Sequence, residues 1–371
     1  MPTAEQGGHG NEEAALDIVV IGAGLSGLTA ATVLREAGAD VLLIEAGAGI
    51  GGRIRAHRDP ETNAPLADLG PTWVWPKYQP VARKWIERLQ LQTFQQFNDG
   101  DAVIEGYGPG PIRQPLPGQD GMVRIVGGPT AFVDAMYQRL DPSRIRRSAP
   151  VAGIAPDGPG QIAIRLASGD VVRAGQVVLC IPLRVAAETL DMPWAPPALL
   201  DVMKRTPTWM SSHAKAVAIY DRPFWREHGL SGRIASRTGP LVEAHDHSGP
   251  DGAPAAIFGF VGWPPDQRQN DPETLRQAIL AQLVRCFGPA AATPKALVVQ
   301  DWSTDRHIAT DLDISGPAHH PDVGPEILRQ SFLDGRVRFA VSETSGISPG
   351  LIEGALAAGE RAAREMIDAQ I

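Results

Sequence analysis

Residues 17–53 read DIVVIGAGLSGLTAATVLREAGADVLLIEAGAGIGGR, and the order of elements within them decides the fold. Residues 17–21 are an apolar, β-branched run predicted as a strand, 28–37 as a helix and 41–44 as a second strand. Between the first strand and the helix, Gly22, Gly24 and Gly27 form G-x-G-x-x-G. Gly22 permits the tight turn out of the strand, and Gly24 lets backbone approach a pyrophosphate. Gly27 lets helix and strand pack closely, with the helix N-terminus turned toward negative charge. Glu45 ends the second strand, at the spacing of about 20 residues where a carboxylate accepts hydrogen bonds from a ribose. A glycine triplet alone also marks ordinary turns, but here strand, turn, helix, strand and acid follow in the required order. Gly51, Gly52 and Arg53 add a second clamp just beyond, and the two together point to FAD.

The rest of the composition narrows the class. A chain of 371 residues exceeds what one hydrophobic core usually serves, so two domains are expected, and 43% hydrophobic content is ordinary for a globular enzyme. Residues 1–15, MPTAEQGGHGNEEAA, carry neither a basic n-region nor an apolar h-region and read as a mobile tail. No uncharged apolar run reaches the roughly 18 residues a membrane span needs, so a cytoplasmic location is expected. Two cysteines make a disulfide framework implausible, and Cys180, within VVLCIP, reads as a buried small hydrophobe. A net charge of −8 with scattered arginines argues against a nucleic-acid surface, and favours a cationic substrate only weakly.

Outward from the first unit, ADLGPTWVW (67–75) reads as a hairpin corner with core tryptophans, and 79–91 as an amphipathic helix. Residues 106–121, rich in Gly and Pro, read as an extended linker, and a helix is predicted over 129–140. Alternation over 151–178, punctuated by Asp157-Gly158 and Ser168-Gly169-Asp170, predicts an antiparallel ribbon entering the buried strand QVVLCIP. From 206 to 299 the strands AKAVAIY, AAIFGFVGW and KALVVQDW, with a helix over 273–287, form a separate antiparallel sheet. GRVRFAVSE then leads into a long helix rich in small residues. The expected class is α/β: a Rossmann-like FAD-binding domain assembled from 15–78, 122–204 and 305–371. A discontinuous substrate domain, 79–121 with 205–304, is built on a mainly antiparallel sheet.

GAGLSGLTAA, GGRI, DLGPTW, GGPTAFVDA, VVLCIPL, KAVAIYDRPFW, DW and FAVSETSGISPGLIEGALAAGERAA together resemble the flavin-containing monoamine oxidase family, in order and with compatible spacing over almost the whole chain. The resemblance implies that Gly22, Ala23, Gly24, Ser26 and Gly27 wrap the pyrophosphate, that Glu45 binds ribose, and that Gly51, Gly52 and Arg53 form the second clamp. Arg53, charged at all relevant pH, can face phosphate with a planar fork of donors. Val151 matches a position whose backbone contacts adenine, and Glu343 one near the ribityl chain. The helix after Glu343 would present its N-terminus to the isoalloxazine.

Lys215 is the residue expected to carry chemistry. It is one of five lysines and sits in an alternating apolar strand, where a desolvated ammonium is expensive. In the resembling enzymes a lysine here holds a water against the flavin; burial would lower its pKa and let it assist deprotonation of an amine or reoxidation by dioxygen. The alternative is an edge strand with Lys215 facing solvent. Trp302 matches a tryptophan lining the flavin site, and a core tryptophan is an equal reading.

Three departures stand out. Family members sandwich the substrate amine between two aromatic rings, and the matching positions are Leu312 and Leu351, which keep an apolar slot but lose cation–π contributions of roughly 0.5–2 kcal/mol. The position of the cysteine that links flavin covalently in some members holds Asp311, so FAD is expected to bind noncovalently. The helical substrate cap is also largely missing between Trp73 and Gly127, leaving an open pocket or one covered by a neighbouring subunit, with exposed apolar surface that favours a homo-oligomer.

The resulting expectation is an amine oxidase: the carbon next to an amine nitrogen gives a hydride equivalent to FAD, an imine forms, and dioxygen is converted to hydrogen peroxide. An FAD-dependent desaturase or dehydrogenase of a larger natural product, and a non-catalytic flavin-binding subunit, are the alternatives. No metal-ligand or Ser-His-Asp set competes, and His319-His320 reads as a solvated loop pair.

Overall fold

A computed structural model describes residues 16–316 and 319–369, so the tail expected over 1–15 lies outside the described residues. The strand Leu16–Ile21 is the centre of an eight-stranded sheet. It pairs in parallel with Val41–Ile44 on one side and with the second half of Val171–Leu179 on the other. Ile145–Arg146 and Val337–Phe339 extend the parallel region in opposite directions. Ile18, Val19, Val20 and Ile21 are all buried, which is why the sequence shows a continuous apolar run and no alternation. The expected ribbon forms from Val151–Pro156 and Ile162–Leu166. It pairs with the first half of Val171–Leu179, so one nine-residue strand serves both parts.

The helix after the glycine turn spans Leu25–Glu36, beginning three residues before the expected start. Gly24 is its N-cap, in extended conformation and with no side-chain cap, so the first-turn N–H groups have no side-chain acceptor. The closing helix Ile352–Asp368 packs across it. A Cβ on Gly359 would lie 2.3 Å from the Ser26 carbonyl oxygen, so the small residues expected to permit close packing are needed there. Among the described residues no helix is long and apolar enough to cross a membrane.

The second sheet has seven strands, ordered 296–301, 214–220, 255–261, 241–246, 230–236, 101–105 and 112–115, and is antiparallel except where Leu230–Ser236 runs alongside Asp101–Glu105. Leu230–Ser236 and Leu241–Asp246 were not expected. The presumed linker 106–121 is corrected as well: Ile112–Pro115 forms the exposed edge strand, where a terminal proline is tolerated. Ala214–Tyr220 is flanked by Ala255–Val261 and Ala296–Asp301, so Lys215 stands on an interior strand rather than an edge. Trp73–Val74, Val123–Ile125 and Thr93–Gln95 form a small three-stranded sheet, and Ala56–Arg58 pairs with Pro65–Asp68 in a two-stranded one.

Candidate active site

A cavity of about 1100 Å³ runs from the first glycine turn to the strand that carries Lys215. At the end nearest the glycine turn the glycines divide by geometry. A Cβ on Gly24 would meet nothing within 4 Å and would project into open space, whereas one on Gly27 would lie 1.9 Å from the Gly22 carbonyl oxygen. Gly22 and Gly51 both hold positive φ, at 102° and 106°, which L side chains rarely adopt. Gly22, Gly24, Ser26, Glu45, Gly51, Gly52 and Val151 all line the cavity.

Ala23 and Gly27 do not line it, contrary to the expectation that they wrap a pyrophosphate. Ala23 is fully buried, and its N–H donates to Glu45 Oε2 at 2.7 Å; Glu45 Oε1 accepts from Gly47 N–H at 2.7 Å. Ala23 and Gly27 therefore shape the turn, and the Ala23 and Gly47 N–H groups fix the carboxylate.

Arg53 has protein partners of its own. It lines the cavity, but its terminal nitrogens form a bidentate pair with Glu343 at 2.6 and 2.9 Å and also donate to the Trp209 carbonyl and Ser342 Oγ. The fork expected to face phosphate is already occupied. Glu343 is buried, receives further bonds from Trp209 N–H and Ser342 Oγ, and is itself absent from the cavity wall. Burial pushes its carboxyl upward, but the Arg53 charge and these bonds outweigh burial and hold it below the usual range. The pair fixes Val341 and Ser342, which do line the cavity.

At the other end Lys215 is 3% exposed and lines the wall. Its Nζ donates to the Gly70 carbonyl at 2.9 Å and to Thr72 Oγ1 at 2.6 Å, and lies 4.1 Å from the centroid of the Phe258 ring. Burial lowers its pKa to about 7, with Asp68 opposing that shift and Arg124 adding to it. The ring can return about 2 kcal/mol to the charged form, less than the several kcal/mol that desolvating an ion costs. Trp302 is buried, lines the cavity and donates from Nε1 to the Leu69 carbonyl at 3.1 Å, with the Arg55 guanidinium 4.8 Å above its ring.

Leu351, N-cap of the closing helix, lines the cavity; Leu312 does not and is 47% exposed. Thr310 and Asp313 close a capping box that starts the short helix Asp311–Ser315, and its turn carries Leu312 outward while Asp311 and Ile314 reach the wall. The aromatic residues missing from the expected sandwich come from elsewhere. Trp73, Trp75, Trp209 and Phe260 line the cavity, with Trp73 and Trp75 edge to face at 6.4 Å. DLGPTWVW thus differs from a hairpin corner with core tryptophans: its turn accepts the Lys215 bonds, and Trp73 and Trp75 reach the cavity wall. His320 is exposed on a loop, as expected, and its ring also meets Trp209 at 4.8 Å. Among the described residues no group of His, Cys, Asp or Glu is arranged to hold a metal.

The family profile described as "Flavin containing amine oxidoreductase" matches residues 110–367, well over half of the chain. The chain belongs to that family. An NAD(P)-binding Rossmann-like domain profile matches residues 20–89. The chain is 30% identical to a probable flavin-containing monoamine oxidase A of Dictyostelium discoideum over 66% of its own length, and that match spans 53% of the relative. It is 24% identical to amine oxidase [flavin-containing] B of Cavia porcellus, covering 95% of this chain and 86% of that one. A putrescine oxidase solved with putrescine shares the fold with a TM-score of 0.79 at 20% identity, covering 95% of this chain and 99% of that one. Cyclohexylamine oxidase from Brevibacterium oxydans IH-35A gives 0.80 at 18%, covering 96% and 99%.

Family membership implies a flavin, and the residues present fit one. The open space over Gly24, the uncapped helix N-terminus, the fixed Glu45 carboxylate and the cavity's length suit an elongated, phosphate-bearing group.

Proposed function

We propose that the protein is an FAD-dependent amine oxidase in which Gly22, Gly24, Ser26, Glu45, Gly51, Gly52 and Val151 hold FAD without a covalent link. The observation that carries this reading is Lys215: a buried amine on an interior strand, at the cavity wall, with two N–H groups bonded to one turn. Bound FAD would supply the acceptor for a hydride equivalent from the carbon next to an amine nitrogen, leaving an imine, and its reoxidation by dioxygen would yield hydrogen peroxide.

The side chains supply the remainder. An alkylammonium must lose a proton before its nitrogen lone pair can assist hydride departure, and a neutral Lys215 is a base of suitable strength at the wall. Trp73, Trp75, Trp209, Phe260 and Leu351 present apolar and aromatic surface to the body of a small amine and limit water around the reacting carbon. Asp311 has no thiol to offer, and Cys180, which lines the cavity, has its pKa pushed up to about 12 by burial, so it stays protonated and unreactive. Arg53 and Glu343 orient the 341–343 segment rather than touch phosphate.

The test is anaerobic mixing of the purified yellow protein with a panel of monoamines, diamines and amino acids. Bleaching of flavin absorbance by an amine, followed by peroxide formation on admitting air, is expected. Colourless protein that takes up no FAD, or flavin that no amine bleaches, would overturn the proposal.

A further inference from the structure

Gln79 is a polar side chain in the cavity wall that the chemistry above leaves unused. It is 7% exposed and stands as N-cap of the helix Pro80–Arg88, with no side-chain bond to that helix. Its Oε1 accepts from the Trp75 backbone N–H at 2.9 Å, and its own backbone N–H donates to the Trp75 carbonyl at 2.8 Å. A backbone N–H can only donate, so the side-chain atom that meets it is the amide oxygen, and the bond settles which way the amide points. The nitrogen is left over. No acceptor meets Gln79 Nε2 among the described residues, and the atom is not sealed within the protein, so its N–H groups open onto the cavity that Gln79 lines.

The support beneath this amide is firm. Val81 and Ala82, in the first turn of Pro80–Arg88, donate their N–H groups to the two carboxylate oxygens of Glu353 at 3.1 and 2.6 Å, and Glu353 is buried. Glu353 belongs to the first turn of the closing helix, whose neighbouring residues Leu351, Ile352 and Ala355 also line the cavity. One buried carboxylate thus ties the helix behind Gln79 to the closing helix, while the Trp75 bond holds the amide in place.

Ring contacts put the amide at the Lys215 end of the cavity. Lys215 Nζ lies 4.1 Å from the Phe258 ring centroid, Phe258 lies 5.2 Å from Trp73, and Trp73 lies 6.4 Å from Trp75, whose backbone N–H holds Gln79. A substrate with its nitrogen near Lys215 would lay its body along the two indoles and bring its far end to Nε2. Covering those N–H groups with hydrocarbon costs their hydration, whereas an oxygen acceptor restores it. An ammonium has only donors and would meet donors; a carboxylate would trade its water for one neutral amide. A neutral oxygen suits the site best.

We propose that, within the amine-oxidising reading on which this rests, Gln79 is a specificity-determining residue that donates from Nε2 to a neutral ether, hydroxyl or carbonyl oxygen at the far end of the amine substrate.

The test uses flavin-loaded, full-length protein and ω-methoxyalkylamines of increasing length, each paired with the n-alkylamine that has a methylene in place of the oxygen. In the wild type the ether-to-hydrocarbon ratio of kcat/KM should peak at one length. Gln79→Glu, as a carboxylate, still accepts from the Trp75 N–H but has no donor. It should lower that ratio by roughly 3- to 10-fold, the worth of one hydrogen bond, through KM and with kcat little changed. A purely structural Gln79 would leave the ratio unmoved in Gln79→Glu, because the Trp75 bond survives; that result overturns the proposal, as does a wild-type ratio without a peak. A changed flavin absorption spectrum with an unmoved ratio would assign the amide to the coenzyme and overturn it as well. Where Gln79→Glu takes up no FAD, Gln79→Leu decides by the same ratio. If no amine reduces the flavin, the pairs are compared by calorimetry. A Kd ratio that falls in the variant then supports the Gln79 contact although the oxidase reading has failed, and binding of neither member overturns both.

Discussion

Lys215 Nζ donates to Thr72 Oγ1 at 2.6 Å, although 143 positions separate the two residues. That bond joins the interior strand of the antiparallel sheet to the turn at residues 70–72, so the cavity wall is closed there by a contact between two segments far apart in the chain. Lys215 is held in one orientation by partners outside its own sheet.

Lys215→Met should leave FAD bound and slow anaerobic flavin reduction by about 100-fold or more, the lower range for losing a general base. Because the neutral form prevails above about pH 7, the wild-type rate should rise through that pH, and this limb should be missing in the variant. Stopped-flow reduction across pH checks both points, and an unchanged profile would remove Lys215 from the chemistry.

The same depressed pKa has a sign for stability. Between about pH 7 and 10.5 the unfolded chain holds a proton on Lys215 that the folded chain has released, so this residue makes folding stability rise with pH in that window. Lys215→Met should therefore gain most in stability over wild type at or below neutral pH, and the gain should shrink in alkali, as read by urea denaturation.

Gly24 and Gly27 should fail in opposite ways. Gly24→Val places its side chain in open cavity, so the protein should fold with a normal melting temperature yet purify without colour. Gly27→Val sets Cβ against the Gly22 carbonyl and should yield little folded protein, whatever FAD is supplied. Equal melting temperatures in the two variants would contradict this.

Glu343→Gln leaves Arg53 without its carboxylate, and breaking a buried pair of this kind costs about 3–5 kcal/mol. The wild-type contribution is present above the ordinary carboxylate value, since the folded pKa is depressed, and is lost as pH falls through the folded value. Chemical denaturation at neutral and acidic pH should show the two proteins converging in acid.

Leu312→Ser should change neither KM nor stability by more than about 0.5 kcal/mol, as for an exposed site, while Ile314→Ser should raise KM for an apolar amine. A raised KM in Leu312→Ser would restore it to the pocket.

The first βαβ unit was readable because its determinants lie within one continuous stretch and each glycine answers a local backbone need. Arg53 was found by the same reasoning, but its partner Glu343 lies 290 positions away, and no local pattern announces which acceptor fills a guanidinium fork. Leu312 faces outward, which matching segments could not show, since they fix a position along the chain and leave undetermined the helical turn that aims the side chain. The strands Leu230–Ser236 and Leu241–Asp246 escaped notice because their buried positions include Ser231, His245 and Asp246, which serve polar partners and blur the apolar alternation. Trp73 and Trp75 were visible as residues, though not as walls, since that requires knowing that Lys215 bonds to their turn.

The packing of Ile352–Asp368 across Leu25–Glu36 has a bearing on biosynthesis. At ribosomal speeds of about 5–20 residues per second, the first helix waits on the order of half a minute for the segment that covers it. Throughout that interval the nascent chain displays an unsheathed apolar helix face, although the glycine turn beside it already has its partners at Ile44, Glu45 and Gly51. A chain cut short before residue 352 would therefore leave the buried face of Leu25–Glu36 without its cover.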